Sequence, residues 1–327
     1  MGPMTRNRCV NDYKHDPAQV KHYADRARDG TGLIVNEGTF PFMIDDQHAS
    51  ACKKVTGAVH EEGGKIFFKA WHAGRYQHDL MPIMKEKGGR ALAPSSIKAN
   101  AGKYRDLPGC PGHTDNIEAI KDPREIVGMY RRTVMLAKDA GFDGVELLAH
   151  GHANKQTDTY GGSVGNRCRF VLELVDTISD INPTDSLNDS AISFKEMKET
   201  YTYLINELVA REVGIINIGR RGANPKGGTG DFFGYTGRPN DLPLPPGYDS
   251  VLGFGRLVKF PRKAETLVDE GKLDLITFAR PFIYNPDIIF WIKHGVPFTA
   301  NDRGNTVYYG PYATPDENYN DWPAAAV

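Results

Sequence analysis

Short apolar runs alternate along this chain with longer stretches whose apolar residues recur at helical spacing, and helix start and stop signals mark the boundaries. Asp16-Pro17 reads as an N-cap with proline at the first helical position. The helix it opens runs to Gly30, and "GLIVNE" (32–37) follows as a strand. The next unit repeats the grammar: a helix from about Gln47 to Glu62, a Gly63-Gly64 stop and the strand "KIFFKAW" (65–71). Asp122-Pro123 caps a long amphipathic helix to Gly141, ahead of "FDGVELL" (142–148). Helices from about Ser163 to Ile178 and from about Lys195 to Glu212 precede "GIINI" (214–218). One from about Arg262 to Glu270 precedes "LDLITF" (273–278), and Asn285-Pro286 opens a last helix.

Apolar strands alternating with helices predict a parallel sheet covered by helices, either closed as a (β/α)8 barrel or open and doubly wound. A dinucleotide fingerprint is lacking. No G-x-G-x-x-G follows a strand and opens a helix, and "GFGRLV" (253–258) lacks the third glycine and reads as a loop. Five strands are convincing, with a stub at Met1 to Thr5. Around "DTISDINPTDS" (176–186) and "VKFPRKAETLV" (258–268) helix runs into loop or into helix where a strand should intervene. Residues 98–121 and 219–250, polar or rich in glycine and proline, read as surface loops, and no tandem repeat is evident.

Composition narrows the function classes. With 40 Lys plus Arg against 41 Asp plus Glu, a net charge of −1 offers no global field for nucleic acid or an anionic membrane. At 327 residues and 40% hydrophobic content the chain can bury a sizeable core. Cys9, Cys52, Cys110 and Cys168 lie far apart with no C-x-x-C pair, which argues against a disulfide framework or a thiolate zinc site. His150 and His152 have no third ligand at convincing spacing, so no metal is expected. The first residues hold no apolar signal core and no run of about 18 apolar residues occurs. A cytoplasmic home is the expectation.

Seven stretches, in order along nearly the whole chain, together resemble the Old Yellow Enzyme family of FMN-dependent ene reductases: "GPMTRNR" (2–8), "GLIVNEGTF" (32–40), "KIFFKAWHAGR" (65–75), "AGFDGVE" (140–146), "TDTYGGSVGNRCRF" (157–170), "TFARPFIYNPD" (277–287) and "VYYGPY" (307–312). The resemblance implies an α/β fold of the TIM (β/α)8-barrel type, as one domain over 1–327. The strand count makes that barrel incomplete or irregular, with about two strands and the N-terminal hairpin missing. It further implies FMN at the C-terminal ends of the strands. NAD(P)H reduces the flavin, hydride passes to the β-carbon of an activated alkene and a proton reaches the α-carbon.

Position by position, the resemblance puts Pro3, Met4 and Thr5 at the turn that holds the flavin ring, and Gly38 where backbone approaches that ring. Lys69 falls where the family has Gln at the flavin's pyrimidine edge; Lys is donor only and charged, and it also reads as a barrel lysine with a buried stem. Trp71, Tyr308 and Tyr309 match aromatic positions of the substrate pocket, Tyr309 with a part in catalysis, although buried aromatics also serve simply as core. Ala279 and Arg280 match the phosphate-binding turn.

The chain also departs from the pattern. After "GVE" the family places a His and, two residues on, an Asn or His that hold the substrate carbonyl; here Leu148 takes the first position and His150 stands one residue early for the second. Residues 146, 148, 150 and 152 of an extended strand share a face, so His150 remains the candidate for catalysis and carbonyl binding, beside a structural or loop role. The Tyr-bearing arm that supplies the proton is absent. The family's Arg at the flavin N1 and O2 edge is missing too, and Lys69 could partly replace it. Three readings remain: an NAD(P)H-dependent flavin reductase of α,β-unsaturated aldehydes or ketones; a flavin-free relative acting as isomerase, cyclase or pseudoenzyme; and a truncated reductase with exposed strand edges.

Overall fold

The computed structural model describes residues 1–6, 8–9, 14–38, 45–86, 88–99, 110, 112–148, 154–178, 181–185, 194–220, 251–254, 265–266, 268–271, 274–304, 307 and 312–325; for 181–185, 194–195, 197–198, 218–220 and 251–254 it describes the backbone only. In chain order these form α1 (Pro17–Ala27), β1 (Ile34–Val35), α2 (Asp46–Glu61), β2 (Ile66–Ala70), a 3-10 turn (Gly74–Tyr76), α3 (Pro82–Glu86), β3 (Ala91–Ala93), β4 (Ile117–Ala119), α4 (Pro123–Asp139), β5 (Gly144–Leu148), α5 (Val164–Thr177), β6 (Ile181–Asp185), α6 (Phe194–Ala210), β7 (Asn217–Arg220), β8 (Val251–Phe254), β9 (Ile276–Phe278), α7 (Pro281–Tyr284) and α8 (Ile288–His294).

Local chemistry explains the helix ends. Asp16 accepts the Ala18 N–H and Gln19 closes a capping box behind Pro17. Asp122 caps α4 ahead of Pro123, and Ser163 caps α5 by accepting the Asn166 N–H. Three helices are followed by glycines at positive φ, Gly63, Gly141 and Gly295, a conformation that carries no steric cost without a Cβ. α1 stops at Ala27, short of the expected Gly30, because Arg28 leaves the helical region with ψ 153°, and Asp29 and Gly30 then turn into the left-handed region.

Seven strands form one all-parallel sheet in the order β1-β2-β5-β6-β7-β8-β9. The two strands expected to be missing are therefore present, as β6 within 176–186 and as β8 just ahead of 258–268. The loop reading of "GFGRLV" is corrected in part, since Gly253 and Phe254 lie in β8. So is the loop reading of 98–121, because β4 falls inside it and pairs with β3.

The stub works as a further strand position. Met1 N donates to Leu33 O at 2.6 Å and Val35 N donates to Met1 O at 2.9 Å, the parallel-ladder pattern around Ile34, while Gly2 N donates to Phe278 O at 2.8 Å. The edge strand β1 thus bonds to Met1 and the other edge, β9, to the adjacent Gly2. A Cβ on Gly2 would stand 2.5 Å from Thr277 Cγ2, so only glycine fits this close against β9.

The core lies between the sheet and its helices. α1, α2, α4, α5 and α6 each pack against the next, and Ile34, Ile66, Phe68, Ala70, Val145 and Leu147 point into the cluster they cover. These residues alternate with others on the opposite face of the strands, where the polar groups gather.

Candidate active site

On that opposite face Lys69 of β2 and Glu146 of β5 stand directly across from each other. They are 7% and 2% exposed, and Lys69 Nζ donates to Glu146 Oε1 at 2.5 Å. Glu146 Oε2 accepts from Asn217 Nδ2 at 3.2 Å, and Asn36 Oδ1 accepts the Lys69 backbone N–H at 2.7 Å. A buried ion pair loses much solvation, and such further hydrogen bonds are what make it tolerable. Asn36 Nδ2 is buried and makes no hydrogen bond. Sequence reading identified Lys69 alone of this group; the strand parity of Glu146 and its register with Lys69 were the signal that could have found the pair.

The C-terminal ends of β9, the stub, β1 and β2 lie side by side above this layer. From them emerge Ala279 and Arg280, then Pro3, Met4 and Thr5, then Gly38, then Trp71, so residues far apart in sequence are brought together. Thr5 is exposed, and Pro3, Met4, Gly38, Trp71, Ala279 and Arg280 are half-buried. A Cβ on Gly38 would come within 3.0 Å of Trp71 Cε3, so glycine lets the indole sit against the backbone. Next to Trp71, burial holds the His72 imidazole down to about 4, and its neutral Nδ1 accepts the Gly74 N–H at 3.0 Å. Leu148 is the last residue of β5 on the Lys69–Glu146 face by parity. His150, Tyr308 and Tyr309 lie outside the described residues.

Arg6, which sequence reading passed over, anchors this end of the molecule. Only 2% exposed, it donates from Nη2 to Val307 O at 2.9 Å and to Asn318 O at 2.6 Å, and its backbone N–H donates to Glu37 Oε2 at 2.9 Å. Arg26 donates to Phe282 O, Ile283 O and Tyr319 O, and His22 stacks on Tyr319 with ring centroids 3.7 Å apart. Burial raises the Glu37 carboxyl above the usual carboxylate range, against the N–H and charge of Arg6. The C-terminal segment is thereby tied to the stub and α1, with Val307 immediately before the two candidate tyrosines.

The profile of the NADH:flavin oxidoreductase / NADH oxidase family matches residues 1–188, more than half of the chain. The chain belongs to this family. Among its relatives, a Leishmania infantum protein named "Probable flavin mononucleotide-dependent alkene reductase" is 30% identical over 359 positions, covering 99% of this chain and 92% of that protein. The alignment is longer than the 327 residues here, so that relative carries residues this chain lacks. Rice 12-oxophytodienoate reductase 7 (Oryza sativa subsp. japonica) is 35% identical over 199 residues, 53% of this chain and 49% of that enzyme. The solved structure of morphinone reductase superimposes with a TM-score of 0.80 at 27% identity, covering 99% of this chain and 91% of that one. Both strands that the sequence had put in doubt, β6 and β8, are in the sheet.

Proposed function

We propose that this chain is an FMN-dependent oxidoreductase that reduces the C=C bond of α,β-unsaturated aldehydes or ketones with NAD(P)H. The observation that carries the reading is the meeting of Pro3–Thr5, Gly38, Lys69, Trp71 and Ala279–Arg280 at one end of four adjacent strand positions, in a family whose members include an alkene reductase and an oxophytodienoate reductase. The finer fold reading accompanies it: one domain over 1–327, with Met1–Gly2 as the eighth position of a (β/α)8 barrel. Four free cysteines suit a reducing cytoplasm. The flavin-free alternative drew on several missing elements, and two of these, the strands β6 and β8, are present.

The donor set fits a flavin. The pyrimidine edge of the ring is rich in acceptors, and beside it would lie the Lys69 ammonium and the unpartnered Asn36 Nδ2. Pro3, Met4, Thr5 and Gly38 would hold the flank of the ring, and Ala279 with Arg280 its phosphate. When bound, FMN supplies the hydride to the β-carbon. Trp71, Tyr308 and Tyr309 wall the substrate, and His150 donates a hydrogen bond to its carbonyl, withdrawing electron density from the alkene. The α-carbon takes its proton from solvent or from an acid not among these residues.

The visible spectrum tests this directly. The purified protein, with FMN added if colourless, should show a bound-flavin spectrum that NADPH or NADH bleaches and an enone restores. No binding at saturating FMN would overturn the proposal.

A further inference from the structure

The excursion between β2 and α4 carries chemistry that the reduction does not use. Cys110 Sγ lies 3.2 Å from His78 Nε2 and 3.2 Å from Gly112 O. On the other side of the ring, His78 Nδ1 is 3.2 Å from Asp79 Oδ1 and takes the Leu80 N–H at 3.2 Å. His78 is 4% exposed, whereas Cys110 is half-buried and within reach of a small reagent. Asp79 is held below the usual carboxylate range by hydrogen bonds from Thr114 and Asn116, the latter to Oδ2 at 2.7 Å. Its Oδ1 is buried and accepts no hydrogen bond.

Two proton arrangements suit these atoms. In the neutral one, the thiol donates to Gly112 O, His78 Nε2–H points at the sulfur and Nδ1 accepts from Leu80. Passing the thiol proton to Nδ1 as the sulfur attacks leaves Nε2–H on the sulfur and puts the new positive charge 3.2 Å from Asp79 Oδ1, at the cost of the acceptor of the Leu80 N–H. A paired imidazolium is the ordinary means of making a cysteine reactive. Among the described charged residues of the same excursion, Lys98 pairs with Asp115 at 2.9 Å and Arg75 donates to Lys98 O. The other cysteines are differently placed: burial pushes the Cys52 and Cys168 thiols up to about 12 and about 11 and raises the Cys9 thiol as well, whose Sγ stands 4.0 Å from His15 Nδ1. Among the described residues no His/Cys/Asp/Glu group is arranged to hold a metal ion.

We infer that Cys110, with His78 and Asp79, is a modification site for soft electrophiles, and specifically for α,β-unsaturated carbonyls. The choice of electrophile rests on the ene-reductase reading, since this segment leaves the sheet directly after Trp71. The thiolate forms a C–S bond to the β-carbon, the alkene electron pair shifts towards the carbonyl, and the α-carbon takes the proton that left the thiol. Nothing is released and no oxidant is consumed.

The test uses the full-length flavin-loaded protein and limiting iodoacetamide at pH 6, with peptide mapping of all four cysteines. Cys110 should react at least about tenfold faster than the free thiol of glutathione under the same conditions. His78→Gln should abolish that advantage and the nearly isosteric Asp79→Asn should reduce it several-fold, with thermal unfolding confirming that each variant is folded. A Cys110 rate no higher than that of glutathione, or no response to either variant, would overturn the site. A second arm incubates the protein with 2-cyclohexen-1-one in the absence of NAD(P)H; a Cys110 adduct is expected. Selective iodoacetamide labelling without the enone adduct would overturn the ligand class, whereas failure of the ene-reductase reading appears separately, as a flavin that NAD(P)H does not bleach.

Discussion

Lys69 shows how a single residue can be singled out by resemblance while its nearest relationship stays hidden. Its resemblance to a family Gln pointed to the flavin edge, but the structure pairs it with Glu146, which no local motif announces. Removing one member of such a pair leaves a buried charge without compensation. Lys69→Met should lower stability by roughly 3–5 kcal/mol, and adding Glu146→Gln should recover more than half of that loss, both measured by urea unfolding. If the single variant costs under about 1 kcal/mol, the ion pair does not form as described. His150 and Tyr309 depend more heavily on resemblance, because strand parity can select a face but not the path of the chain beyond Leu148.

At the scale of elements, the helices were legible and two of the strands were not. α1, α4 and α5 declared themselves through Asp-Pro and Ser caps, which act within a few residues and survive any tertiary context. β6 escaped because "INPTD" has one apolar aliphatic residue and a proline, so it lacks an apolar run; neighbours on both sides make it a strand. β8 was lost at the end of a stretch rich in glycine and proline. The stub is more consequential, since two residues join both edges of the sheet. Gly2→Ala should force its methyl into Thr277 and cost about 1–3 kcal/mol, and Thr277→Ser in the same chain should restore most of it by removing Cγ2. An unaffected melting temperature in Gly2→Ala would show that the stub does not sit against β9.

The whole molecule responds to pH through groups that folding has removed from water. His22 is 1% exposed, stacked on Tyr319, with Nδ1 3.3 Å from the Tyr319 carbonyl. Burial, reinforced by the charges of Arg26 and Arg6, holds its folded-state pKa well below 6.5. The unfolded chain therefore binds a proton first as pH falls, so this contribution to stability is complete above about pH 6.5 and is lost below it at up to about 1.4 kcal/mol per pH unit. Between pH 7 and pH 5, His22→Gln should lose roughly 2 kcal/mol less than the parent in urea unfolding. Parallel slopes for the two proteins would place the acid sensitivity elsewhere.

By itself the sequence determined the alternating architecture, most helix boundaries and the family resemblance, because caps, turn glycines and hydrophobic period act over a few residues. Only the tertiary structure decided that β6 and β8 complete the sheet, that Met1 and Gly2 bridge its edges, that Lys69 is paired with Glu146, and that Cys110 meets His78. Each of these is a contact between segments distant in the chain, selected by register, burial and the need to satisfy polar groups once water has been excluded.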